Sequence, residues 1–264
     1  MRRVARLLLS KTDSDDLARR QRKADSDHRA GVLNVDRTWR NARKGKVMGR
    51  ALRTLQRMAG ARQRCMYCLD SHGTDIEHWR PKASYPGQMF AWDNMLLCCA
   101  ECGRFKLDQF PVDGAGQPLL LDPTVDDPWR HLDFDPLTGQ ITAAFDATQL
   151  IFDCRGEKTA EVLHFAERDA MHDGYRRTWH RLAKVVRAAL GSSTVHANRL
   201  CEELLHEDDH GLLPWCFSRR GRTEAPFSQL WSTHPTVFAA CAATLCGALE
   251  PLATICPRTT PVDQ

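Results

Sequence analysis

Apolar positions recur at helical spacing in two long parts of the chain and at strand spacing in a short part between them. From Asp36, a candidate N-cap, the run DRTWRNARKGKVMGRALRTLQRMAG sets Trp39, Val47, Met48, Ala51, Leu52, Leu55 and Met58 near one helical face, with Gly60 as the stop. Arg43, Lys46, Arg50, Arg53 and Arg57 fall on the opposite face. A second helical part begins at Gly156. It steps through Val162, Leu163, Ala166, Ala170, Trp179, Leu182, Val185, Val186 and Ala189 to Gly191, with Gly174 a candidate break. A further helix is expected over residues 194–205. A last one, from Thr233 and Pro235 through FAACAATLCGAL to just before Pro251, is apolar almost all round and so predicts burial.

Between these parts, TDIEH at 74–78 alternates polar and apolar residues like a short strand and stops where Trp79–Arg80–Pro81 forbids ordinary pairing. Residues 92–98 read as a second strand, and a helix opens near Cys102, which gives the order strand, loop, strand, helix. Residues 1–30 are polar and mixed in charge, with Asp13, Asp15, Asp16, Asp25 and Asp27 among arginines. They read as a short leading segment and a mobile or helical arm. Residues 110–141 are turn-rich, and the Asp-Pro pairs assign Asp122, Asp126 and Asp127 to turns rather than to a metal. The expected class is α+β: a basic, mainly helical arm (1–64), a compact module (65–145) and a helical C-terminal region (146–264).

Composition leaves that picture standing and adds a polarity. With 264 residues, 42% hydrophobic and 27% charged, the chain is long enough for one substantial core or two modest ones, and disorder is not expected. The net charge of +4 hides an asymmetry: residues 1–64 carry 19 Lys/Arg against 6 Asp/Glu, and the remainder 18 against 27. Clustered positive charge favours phosphate backbones, with a solvated helix face as the plain alternative. There is no secretory signal, no run near the ~20 apolar residues that span a bilayer, no P-loop and no internal repeat. Cytoplasm is the default, with no membrane association.

Candidate chemistry concentrates in residues 65–106. Cys65 and Cys68 are spaced C-x2-C, as are Cys99 and Cys102, so four thiolates are expected to converge on one structural Zn²⁺. The odd total of 11 cysteines points the same way, to metal binding in a reducing compartment rather than to disulfides. Cys98 is assigned to packing, and Cys154, Cys201, Cys216, Cys241, Cys246 and Cys256, which lack knuckle spacing, to the core. His206 and His210, in HEDDH, read as an exposed helix end rather than a second metal site. At the end of the first strand, Glu77 can hold a hard divalent cation while His78 deprotonates water. Arg80, Lys82, Arg104 and Lys106 surround that point with cations, which suits a phosphodiester.

The motifs CMYC, IEHWRPK, WDN, CAEC and Lys106, followed by FPVDGAGQPLLLDPTVDDPWRHLDFDPLTGQI, resemble the HNH endonucleases of the ββα-metal type. The stretch is similar in particular to the HNH subunit of Septu-type and retron-linked anti-phage systems, over residues 65 to about 142. The resemblance implies a zinc-stapled ββα core that hydrolyses DNA with Mg²⁺ or Mn²⁺, beside an ATPase subunit of the same defence system. It further implies His78 as general base, Glu77 with Asp75 at the catalytic cation, Asn94 orienting the strand and loop of the histidine, and Lys106 as the helix lysine. The family usually reads C-x2-C-N-x2-K, and here its metal-ligating asparagine is Gly103. A competing class is therefore a non-catalytic zinc-bound module that binds nucleic acid or a partner, with Gly103 marking the lost metal site.

Overall fold

In a computed structural model, which describes residues 1–246 and the backbone alone of Cys246, the chain divides into two compact units. One is Arg3–Asp126. The other joins Met1–Arg2 to the chain from Asp127 onward. The basic arm and the cysteine module thus fall in one unit.

In the first unit, α1 (Lys11–Arg29) starts at Ser10, whose hydroxyl accepts from the Asp13 amide. It is not a mobile arm. Gln21 donates to the Pro86 carbonyl (3.0 Å) and accepts from the Phe90 amide (2.7 Å), and buried Asp13 accepts from Arg50 Nε (2.6 Å). Ahead of α1, Arg6 donates to the carbonyls of Trp92 (2.7 Å), Asp93 (2.9 Å) and Met95 (3.0 Å).

The single helix expected from Asp36 to Gly60 is two, α2 (Val35–Arg43) and α3 (Lys46–Met58), and the first N-cap is Asn34 rather than Asp36. The break falls at Gly45, an extended residue with ψ 153°, where glycine makes leaving the helix cheap. The buried face of α3 carries Val47, Met48, Ala51, Leu55 and Met58, as the spacing predicts. Gly60, at φ +86°, ends the second helix as expected.

Strands β1 (Asp75–His78) and β2 (Met95–Cys98) pair antiparallel, with Asp75 opposite Cys98 and His78 opposite Met95. Residues 92–94, expected as strand, form a 3-10 turn, because the Asn94 side chain bonds the preceding loop instead of extending the ladder. Both faces of β2 are buried, which explains its unbroken apolar run MLLC. Helix α4 (Ala100–Lys106) opens two residues earlier than expected, capped by Cys99 Sγ, which accepts from the Cys102 amide (3.4 Å). After it, Asp122 and Asp126 bond backbone amides in a turn, as the Asp-Pro signals predict.

The second unit holds α5 (Pro128–His131), the hairpin β3 (Leu132–Phe134) and β4 (Ile141–Ala143), and the hairpin β5 (Phe145–Asp146) and β6 (Ile151–Phe152). The helices α6 (Cys154–Val162), α7 (Asp169–Leu190), α8 (Ala197–Glu207), α9 (Leu213–Cys216), α10 (Phe227–Thr233) and α11 (Pro235–Cys246) follow. Gly174 does not interrupt α7. The break falls earlier, at His164, which takes φ +51°. Phe134, Tyr175, Trp179, Trp215 and Phe227 form an aromatic core with ring centroids 5.1–6.3 Å apart. His210 is buried against Thr178 Oγ1 (2.8 Å), not at an exposed helix end, and His206 is exposed. Cys201, Cys216 and Cys241 are buried. The expected end of the last helix and Cys256 lie outside the described residues, as does the side chain of Cys246. The described architecture is α+β, and no helix among these residues is long and apolar enough to cross a membrane.

Candidate active site

Two C-x2-C turns meet at one point. The Sγ atoms of Cys65, Cys68, Cys99 and Cys102 lie within 4.8 Å of one another, with Cys68 and Cys99 3.9 Å apart, and all four residues are buried. Four thiolates at about 2.3 Å from a tetrahedral Zn²⁺ would stand about 3.8 Å apart, so the geometry fits that ion. Donor chemistry agrees. Burial pushes the Cys65 thiol up, while hydrogen bonds from Cys102 and Cys65 bring Cys68 down to about 7. Four buried sulfurs ionise together only around a cation, and a bound metal converts directly into folding free energy. Local backbone supports the knuckle: Leu69 turns at φ +53°, and its amide donates to the Cys65 carbonyl (2.9 Å). Gly73 admits Leu97 where any Cβ would meet Leu97 Cγ at 2.4 Å. Cys98 is buried outside the four, donating to the Cys99 carbonyl (3.3 Å).

This staple holds β2 and α4, and β1 lies against both. Glu77 Oε1 accepts from Lys106 Nζ (3.2 Å), which also donates to the His78 carbonyl (2.8 Å). The Lys106 side chain is 0% exposed and that of Glu77 21%. Burial pushes the Glu77 carboxyl up against the pull of Lys106, and pushes the Lys106 ammonium down against the pull of Glu77. Lys106, expected as a phosphate ligand, is instead an internal cation that ties α4 to β1. The other carboxylate oxygen, Oε2, faces Gly103, where a built Cβ would sit 3.8 Å away. An asparagine there would meet Glu77.

His78, on the opposite face of β1, is 4% exposed. Its Nε2 lies 2.9 Å from the Met89 carbonyl. A carbonyl only accepts, so Nε2 carries the proton and Nδ1 the lone pair. Burial, with Lys82 and Lys106 adding to it and the Met89 bond opposing, lowers the imidazole pKa to about 4. The ring is therefore neutral at neutral pH. Trp39 of α2 covers it edge-on, with centroids 4.3 Å apart.

Asn94 is buried and bridges the intervening loop. Its Oδ1 accepts from the Arg80 amide (2.7 Å), and its Nδ2 donates to the carbonyls of Arg80 (3.0 Å) and Gln88 (3.1 Å). The Asn94 carbonyl accepts from the Trp79 amide (3.0 Å). The residue thus fixes the chain on leaving His78 and again on approaching β2.

The remaining candidates divide. Asp75 pairs with Arg43 of α2 (2.8 Å), both side chains about half exposed, and Lys82 pairs with Asp36 (3.5 Å). Arg104 is exposed on α4. Arg80 is half-buried among Trp79, Phe110 and Tyr85, with ring centroids 5.0, 5.1 and 5.4 Å from its guanidinium carbon. Among the described residues, the group of three or more His, Cys, Asp or Glu side chains placed to share a metal ion is that of the four cysteines; Glu77 stands outside it, paired with Lys106. Sequence reasoning put Trp39 on an apolar face but did not find its contact with His78, nor the roles of Met89, Tyr85 and Phe110. No local signal marks them.

No family model matches the chain. It is 28% identical over 130 residues to Septu protein PtuB of Bacillus thuringiensis, covering 47% of this chain and 45% of that protein. It is 31% identical over 101 residues to Septu protein PtuB of Bacillus mycoides (strain KBAB4), covering 27% of this chain and 34% of that one. The chain thus spans less than half the length of the curated relatives it matches.

Proposed function

We propose that this chain is a metal-dependent HNH endonuclease of the ββα-metal type that hydrolyses DNA phosphodiester bonds within a bacterial anti-phage system. The observation that carries the reading is the set on β1, β2 and α4: a neutral His78 with its lone pair on Nδ1, Glu77 opening towards Gly103, and Asn94 fixing the loop between them. The zinc-ready cysteine cluster beside it supports the same reading. Similarity to two Septu proteins supports the place in defence, and another component of that system, an ATPase subunit by the resemblance of the sequence motifs, is the proposed partner.

In this reading His78 Nδ1 takes the proton of the attacking water, while the Nε2 bond to Met89 holds the ring in the tautomer that leaves Nδ1 open. Glu77 would hold Mg²⁺ or Mn²⁺, which when bound would supply positive charge to the scissile phosphate and its leaving oxygen. Asn94 acts through the backbone by keeping the loop after His78 in one conformation. Lys106 neutralises Glu77 from inside and supports the His78 carbonyl.

A second reading, a zinc-bound module that binds nucleic acid without cutting it, is favoured by Gly103, which removes an oxygen ligand beside Glu77. One experiment separates them. Purified protein is incubated with supercoiled plasmid and Mg²⁺ or Mn²⁺, with and without the neighbouring ATPase. Nicking that His78→Ala abolishes, with duplex binding retained, is the expected outcome. No cleavage under any of these conditions, or cleavage by His78→Ala at the wild-type rate, overturns the nuclease reading.

A further inference from the structure

We infer that Arg80 is the phosphate receptor of this site, taking a backbone phosphate of duplex DNA on a guanidinium that Trp79, Tyr85 and Phe110 hold ready. DNA as the source of the phosphate rests on the nuclease reading; the receptor itself rests on geometry. Four cations around β1 are already engaged: Lys106 with Glu77 and the His78 carbonyl, Lys82 with Asp36, Arg43 with Asp75, and Arg6 with three carbonyls and Thr124. The Arg80 guanidinium has no acid and no other hydrogen-bond acceptor among the described residues, and its partners there are the three rings.

Aromatic rings attract a cation without neutralising it, and they offer no strong acceptor to its N–H groups. A caged arginine therefore keeps its whole charge and its planar fork, the shape that binds a phosphate through two parallel hydrogen bonds. Its order is already paid for by the fold, whereas exposed Arg104 would have to be ordered on binding. The backbone is held as well. Asn94 bonds the amide and the carbonyl of Arg80, so the residue cannot drift from the loop. One residue separates it from His78, which keeps their Cα atoms within about 7 Å.

The test uses the full chain and a fluorescently labelled 20-base-pair duplex, without added divalent cation so that the DNA stays intact. Affinity is measured by anisotropy across salt concentration. Arg80→Gln is expected to weaken binding about tenfold and to lower the slope of log affinity against log salt by about 0.9, the value of one phosphate contact. Arg80→Lys, which keeps the charge, is expected to keep the slope. Wild-type affinity and slope in Arg80→Gln would overturn the inference. So would equal loss of slope in both variants, which would make Arg80 a structural residue. If the slope falls in Arg80→Gln alone while no metal elicits cleavage, the receptor stands and the nuclease reading falls. If the protein cuts and Arg80→Gln binds as wild type, only this inference falls.

Discussion

Replacing Lys106 by methionine keeps the length and most of the volume of the side chain and removes its charge and donors. In the folded chain that ammonium is 0% exposed and makes two hydrogen bonds, to Glu77 Oε1 at 3.2 Å and to the His78 carbonyl at 2.8 Å. Its loss leaves a buried carboxylate without its counter-charge and a strand-end carbonyl without a donor. Breaking one side of a buried ion pair costs about 3–5 kcal/mol. Glu77 retains 21% exposure and can take up a proton or water, so the low end applies, about 3 kcal/mol. The double variant Glu77→Gln/Lys106→Met removes both charges and leaves mainly the His78 carbonyl unmet, about 1 kcal/mol. The two residues are thus expected to couple by about 2 kcal/mol or more in a double-mutant cycle. Amide hydrogen exchange of β1 and β2 reads the opening of this unit. A loss of about 3 kcal/mol accelerates it roughly 140-fold, at about 1.4 kcal/mol per factor of ten. If Lys106→Met speeds exchange less than about fivefold, or the double variant is worse than the single, the ammonium is not holding α4 to β1 in this way.

Three further outcomes are expected. Metal analysis of purified protein is expected to find about one zinc per chain, and Cys65→Ser or Cys102→Ser to yield unfolded or insoluble material, because the cluster contributes folding free energy; well-folded protein without metal would refute this. Gly103→Asn, placed 3.8 Å from Glu77 Oε2, is expected to raise metal affinity and to shift the dependence of plasmid cleavage towards lower Mg²⁺ by about tenfold; an unchanged curve would assign the missing ligand to another residue. Hydrogen bonding from Arg50 holds the Asp13 carboxyl below its ordinary 3.8. A depressed carboxylate stabilises the fold fully above its unfolded pKa and loses that contribution as pH falls through the folded value, so Asp13→Asn should differ most from wild type above about pH 5 and converge with it below pH 3.8, read as urea midpoints across pH. A difference that stays constant across that range would show that the Arg50 pair does not carry it.

The sequence by itself determined the features whose cause is local. Knuckle spacing brings two sulfurs to one point whatever lies around them, so Cys65, Cys68, Cys99 and Cys102 were legible as one cluster. Alternation in TDIEH, cut off by Pro81, put Glu77 and His78 on opposite faces at a strand end, and the stop at Gly60 followed from its freedom at positive φ. The breaks of the long helices were less legible: Gly45 broke one, while Gly174 stayed inside α7 and His164 supplied the break instead, because packing overrides propensities of a kcal/mol. Only the tertiary structure decided what each face meets. Trp39 stands against His78, the Met89 carbonyl selects its tautomer, Lys106 turns inward to Glu77, and Tyr85 and Phe110 close around Arg80. Periodicity states which residues share a face, and charge states what they attract, but neither names the partner. That is settled by which distant segments the chain folds into contact, and so four cations of equal standing in the sequence became an internal ion pair, an ion pair with Asp36, an exposed side chain and a caged arginine.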